Sequence, residues 1–142
     1  LAEPFGAVYI PEAVANEVNV AFSDCGEWRK SLEGGRIIIQ PILNTILAKQ
    51  MVPLLHQGEA EAICLALEKK AKLCLIDDKD GRIIAQSNKL PITGTLGIMV
   101  KAKKTGLISS VKPLIDELRT EHNFWVRDDM YQKVLYIARE KI

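Results

Sequence analysis

The chain has 142 residues, 48% of them apolar and 26% charged, with a net charge of +1 at neutral pH. That length suits one compact domain with a core of its own. The balanced charge excludes an overall field directed at nucleic acid, a membrane surface or an acidic partner, so any nucleic-acid contact must come from a local patch. The three cysteines, Cys25, Cys64 and Cys74, are odd in number and form no C-x-x-C pair. They read as reduced, buried thiols of a cytoplasmic protein. The two histidines, His56 and His122, lie far apart, and neither a zinc motif nor a Ser/His/Asp or Cys/His signature is present. No apolar run approaches the ~18 residues of a membrane span, and no signal peptide is visible. The first residue is Leu1 rather than an initiator methionine, so the chain is expected to begin partway through a domain.

In chain order, "AVYI" (7–10) predicts a short buried strand, and Pro11 suits the start of a helix. Val14, Val18, Ala21 and Phe22 follow at the spacing of one helical face. "SDCGEWRKSLEGG" reads as a polar, glycine-containing link, and "RIIIQ" as a second strand. Residues 42–55 are expected to be helical, with Pro53 marking a bend or break. A helix apolar nearly all round runs from Gly58 to about Lys70. "KLCLI" predicts a strand buried on both faces of a parallel sheet. Asp78 is placed to cap a helix over 79–87. "PITG" is a strand candidate, and "TLGIMVKAKK" a helix stopped by Gly106. Ser109 or Ser110 is expected to cap a helix reaching about Arg119, with Pro113 in its early turns. "NFWV" and a helix from Asp128 to Glu140 complete the chain. Strands that alternate with helices imply an α/β fold with a parallel sheet covered on both faces.

The acids around the central apolar stretch lack obvious partners. Glu59 and Glu61 have no lysine three or four residues on, so neither belongs to a helical salt bridge. Both suit the positive end of a helix dipole. Asp77 follows the "KLCLI" strand, and ligands of open parallel sheets bind outside the carboxyl ends of strands. A turn role for Asp77 and an N-cap role for Asp78 stand beside that reading. Glu17 lies at the margin of its helix's apolar stripe, and no Lys or Arg occurs before Arg29. Brought together, two such carboxylates ~4 Å apart would repel by on the order of 4 kcal/mol at an effective dielectric of about 20. A divalent cation offsets that repulsion, and Mg²⁺ or Mn²⁺ prefers oxygen ligands. A calcium loop is excluded, because with Gly81 at its sixth position Ile76 and Ser87 would stand where acids are required. "GTLG" is not G-x-G-x-x-G, and no GK[ST] phosphate loop exists.

Several segments resemble the PIN-domain family, the fold of VapC-type toxins, and in particular a prokaryotic PIN-like subgroup of poorly defined function. "VYIPEAVANEV" resembles the family's strand and the helix carrying its second acid, here Glu17. "GEAEAICLALEKKAKLCLIDD" resembles the third-acid helix, opened by Glu61, and the strand followed by the fourth acid, Asp77, with Asp78 beside it. "ITGTLGIMVKAKKTGLISSVKPLIDEL" resembles the segment that follows. The resemblance implies a three-layer α/β/α sandwich with a parallel sheet, a single PIN-like domain over 1–142. It also implies that Glu17, Glu61, Asp77 and Asp78 hold Mg²⁺ or Mn²⁺. The family's first strand, central in its sheet and bearing its first acid, should precede "FGAVYIP", where only "LAEP" stands. The domain is therefore expected to be N-terminally incomplete.

Two functions follow. One is a metal-dependent ribonuclease of the kind that serves as the toxin of a toxin–antitoxin pair, with Glu17, Glu61 and Asp77 as catalytic residues once the first acid is supplied. The other is a catalytically incomplete module that binds nucleic acid or protein. RNA, an antitoxin protein and a second copy of the chain are the implied partners. Arg82, Lys101 and Lys104, with Lys103 beside them, are candidate phosphate contacts that position RNA without reading its sequence. Trp28 and Trp125 read as packing residues, given their bulk and apolar neighbours.

Overall fold

Short apolar stretches between turn residues become strands, and the longer periodic segments become helices. The computed structural model describes residues 5–141. In order these are β1 (Val8–Ile10), α1 (Glu12–Phe22), α2 (Gly26–Glu33), β2 (Ile37–Ile39), α3 (Thr45–Met51), α4 (Gln57–Glu68), β3 (Cys74–Leu75), α5 (Lys79–Ser87), β4 (Ile92–Thr93), α6 (Thr95–Lys104), α7 (Lys112–Glu121) and α8 (Asp128–Ile137). Residues 1–4, where the gap in the family pattern falls, lie outside the described residues. The packing divides into two compact units, 1–93 and 94–142. No helix of the described residues is long and apolar enough to cross a membrane.

In the first unit β1 pairs with β2 in parallel, Val8 opposite Ile37. β3 pairs with β4 in parallel, Cys74 opposite Ile92. Parallel neighbours require a crossover; α1 and α2 supply the first, α5 the second. The expected α/β class therefore holds. The strands form two separate two-stranded sheets rather than the one sheet expected. Among the described residues no strand joins the two pairs. β3 also differs from expectation. Cys74 and Ile76 are 6% and 4% exposed, but Leu75 between them is 43% exposed. Side chains alternate across a strand, and only one face of β3 is fully covered.

The segment over 23–35, expected as a link, contains α2. Its glycines bound the helix instead of dissolving it. Gly26 opens it, Gly34 N–H donates to the Lys30 carbonyl, and Gly35 turns out of it at φ +67°, the left-handed conformation common after helix ends. Trp28, half-buried, donates from Nε1 to Asn19 Oδ1 at 2.7 Å.

Helix α4 is the pivot of this unit. Ala60, Ile63 and Cys64 are fully buried, and α1, α3, α5 and β3 all pack against it. At its C-terminal end Glu68 accepts from the backbone N–H groups of Leu43 (2.9 Å) and Asn44 (2.7 Å). Asn44 Oδ1 accepts from Leu47 N–H at 3.0 Å, so two side chains together anchor the start of α3. Burial pushes the Cys74 thiol up to about 11.

The second unit is built from α6, α7 and α8 around Val111, Ile115 and Leu135, all fully buried. Ser110 does not cap α7 directly, as its position suggested. Glu140 does so from the far end of the unit. Its carboxylate accepts from Val111 N–H (2.7 Å), Lys112 N–H (3.0 Å), Ser110 Oγ (2.7 Å) and Lys103 Nζ (2.6 Å). Arg139 at φ 56° turns the chain past α8, and Glu140 N–H donates back to the Leu135 carbonyl at 2.9 Å. Burial alone would raise the Glu140 pKa. The Lys103 ammonium, the two backbone amides and the Ser110 hydroxyl outweigh it and hold the group down at about 2.

A carboxyl lowered on folding stabilises the protein fully above its ordinary value of 4.5. That contribution is lost as pH falls from there through about 2. Glu140→Gln is expected to lower the unfolding free energy at pH 7 by about 1–3 kcal/mol. Urea titrations followed by circular dichroism should show the gap between wild type and variant closing as pH falls through that window. A gap that does not change with pH would refute the assignment.

Candidate metal site

Pro11, buried, ends β1 and precedes α1. It leaves the Ala13 N–H without an intrahelical partner, as in any first turn. Glu61, on α4, supplies one: its Oε2 accepts from Ala13 N–H at 3.1 Å, while its Oε1 accepts from Gln57 Nε2 at 3.0 Å. The other acid of the same turn, Glu59, accepts from His56 N–H at 3.2 Å and closes the first turn of α4. Residues 59 and 61 are about 200° apart around a helix, so the two acids face different ways.

At the carboxyl end of β3, Asp78 caps α5, with Oδ2 accepting from Gly81 N–H at 2.8 Å. A Cβ on Gly81 would lie 3.0 Å from Ile76 Cγ2, which fits glycine at this close approach. Arg82 reaches back and donates from Nη1 to the Ile76 carbonyl at 2.8 Å, fixing the strand end from which Asp77 and Asp78 project.

A cavity of about 190 Å³ lies where these elements meet. Glu17 of α1, Glu59 of α4, and Asp77 and Asp78 after β3 line it, with Val14, Ala62, Leu75 and Ile76 as its apolar wall. The lining holds four carboxylates and no basic side chain. Of the acids singled out from sequence, Glu17, Asp77 and Asp78 come together here; Glu61 is not in the lining. Glu59 is, although the sequence reading gave it only a helix-dipole role. Its signal was the i,i+3 pairing with Ala62, which gives one helix face to the cavity. Among the described residues, no three His, Cys, Asp or Glu side chains already close on one point as a coordinating group. The donor set is nonetheless all carboxylate oxygen, the chemistry preferred by Mg²⁺ and Mn²⁺.

A family model described as a PIN domain matches residues 1–140. This chain belongs to the PIN-domain family. No curated protein and no solved structure matches it. PIN domains have a nuclease-type fold and generally depend on divalent metal. Many bind nucleic acid, and some bind antitoxins.

The basic residues of this PIN domain divide by role. Arg82 is half-buried and tied to the strand end. Lys101 and Lys104 are exposed on α6, whereas Lys103 is drawn into the Glu140 cluster with its side chain 23% exposed. Trp125, expected to pack, is 79% exposed. It shares a surface depression with Arg119 and Arg127, whose guanidinium groups pair with Asp128 (3.3 Å) and Asp129 (2.6 Å). Of the cysteines, Cys64 and Cys74 are buried as expected and Cys25 is exposed; all three are free thiols. Cys64 is raised by burial first, then by the nearby Glu68 and Glu61 charges.

Glu61 replaces a missing N-cap for α1, and loss of such a cap costs about 1 kcal/mol. Glu61→Ala is expected to destabilise the metal-free protein by that amount in urea titrations. Glu61→Gln, whose amide oxygen still accepts from Ala13, should lose clearly less. Equal losses in the two variants would show that the cap does not carry the effect.

Proposed function

We propose that this PIN domain is a metal-dependent ribonuclease, with the carboxylate cavity as its cation site. The observation carrying the proposal is that Glu17 of α1, Glu59 of α4 and the adjacent Asp77 and Asp78 after β3, drawn from three separate segments, share one cavity with no basic residue. Glu17 and Asp77 are assigned as the principal ligands, with Asp78 contributing the oxygen not used in capping α5. Glu61 serves the same site through the start of α1, which its carboxylate holds. A bound divalent cation supplies charge neutralisation and Lewis acidity for hydrolysis of a phosphodiester. The chain's own part is to hold the carboxylates in place. Gly81 and Arg82 fix the strand end that carries Asp77 and Asp78, and the α1–α4 contact fixes Glu17. Arg82, Lys101 and Lys104 are assigned as phosphate contacts. Such contacts give salt-dependent binding without sequence preference. A role as the toxin of a toxin–antitoxin pair fits this reading, with an antitoxin protein and a second copy of the chain as candidate partners.

The second reading is a PIN domain that binds RNA or protein without cleaving. It is favoured by the lack, among the described residues, of three ligands already closed on one point. The two readings separate in one experiment with the full chain, RNA and millimolar Mn²⁺. The ribonuclease reading expects Mn²⁺-dependent cleavage and a raised melting temperature, since a ligand that binds only the folded state stabilises it. Glu17→Gln and Asp77→Asn should each slow cleavage by at least the order of 10–100-fold that changes around a metal's ligands bring. Equal cleavage by wild type and both variants would remove the assignment. Retention of RNA with neither cleavage nor a Mn²⁺ shift would establish the binding module.

A further inference from the structure

We infer that Gly58 is a positioning residue for Glu17: its missing side chain is the recess that admits the Glu17 carboxylate to the cavity shared with Asp77 and Asp78. The inference rests on the cation-site reading above. A methyl group built on Gly58 would lie 2.7 Å from Glu17 Oε1 and 3.3 Å from both Cδ and Oε2. The first distance is far inside van der Waals contact. Outside its own helix backbone and chain neighbours, the three nearest atoms all belong to this one carboxylate.

Backbone conformation does not explain the glycine. Gly58 is the second residue of α4 and, unlike Gly6, Gly35 and Gly106, it does not have positive φ. Glycine within a helix is less stable than alanine at the same place, because it loses more backbone entropy on folding. Gly58 is also buried, in a helix whose other small buried positions, Ala60 and Ala66, are alanine. What glycine alone provides here is room for an anion against the first turn of α4. That turn is the positive end of the helix dipole, where a carboxylate is favoured. Gly81 makes a useful contrast, since its closest neighbour is the apolar Ile76 Cγ2, a matter of packing.

The blocking atoms are the far end of a flexible side chain, so a methyl at position 58 should move the carboxylate and leave the fold intact. Gly58→Ala is therefore expected to change two quantities in opposite directions. Metal-free stability, read from urea titration, should be equal to or higher than wild type. Mn²⁺ affinity, read by calorimetry or by the Mn²⁺-dependent melting shift, should fall about tenfold, in the range typical of groups that orient metal ligands. The double variant Gly58→Ala/Glu17→Asp, with its carboxylate withdrawn by one methylene, should bind Mn²⁺ more tightly than Gly58→Ala alone. In the glycine background Glu17→Asp should instead weaken binding. A purely structural role for Gly58 would not produce that reversal.

Wild-type Mn²⁺ affinity in Gly58→Ala overturns the positioning role while leaving the cation site standing. Absence of Mn²⁺ binding by the wild-type chain removes both. A Gly58→Ala chain that fails to fold also overturns the inference, because a yielding side chain cannot cause it.

Discussion

Helix α4 has almost no wet face. Ala60, Ile63 and Cys64 are fully buried, and four other elements of the first unit pack around them. A helix so enclosed can place its carboxylates only at its ends, and there each one finds backbone amides that have no other partner. Glu61 takes the first turn of α1, Glu68 the Leu43 and Asn44 amides just ahead of α3, and Glu59 the amide at its own N-cap. The burial of α4 thus orders its neighbours twice, once by apolar contact and once by charge-assisted hydrogen bonds at helix starts.

The same device recurs elsewhere. Asp78 caps α5 from the adjoining residue, and Glu140 caps α7 from 28 and 29 residues away. Among the described residues, five helices therefore begin against an acidic side chain. In a protein whose charges nearly cancel overall, these acids are not there for bulk electrostatics. Most of them neutralise the partial positive charge of helix N-termini, where a carboxylate is stabilised at short range whatever the net charge.

Against that background the cavity acids form two groups. Glu59 and Asp78 each serve a helix start and also line the cavity, so their positions are held by secondary structure. Glu17 and Asp77 reach the cavity from the exposed side of their elements. Glu17 comes to rest against the one position of α4 that has no side chain. A polar site of this kind is best built on well-packed elements, and α4 is buried against four neighbours.

Sequence alone determined the α/β class, most element positions and the acids worth watching, because these follow from local patterns: helical periodicity, strand-length apolar runs and the Asp78 cap. The "SDCGEWRKSLEGG" helix was missed because its glycines look like breakers, and only the folded chain, with α2 against β2 and Gly35 at positive φ, shows that they act as ends. The two-sided burial expected for β3 failed because an apolar run does not reveal how many partners the strand will find. The resemblance picked Glu61 rather than Glu59 for the site, but both lie in the first two turns of one helix and local pattern does not say which faces the cavity. Their roles depend on which amide or cavity each faces once α1 docks. The capping of α7 by Glu140, and the recess at Gly58, join residues too distant in sequence for any local pattern to connect. Such contacts come from packing, and tertiary structure alone decides them.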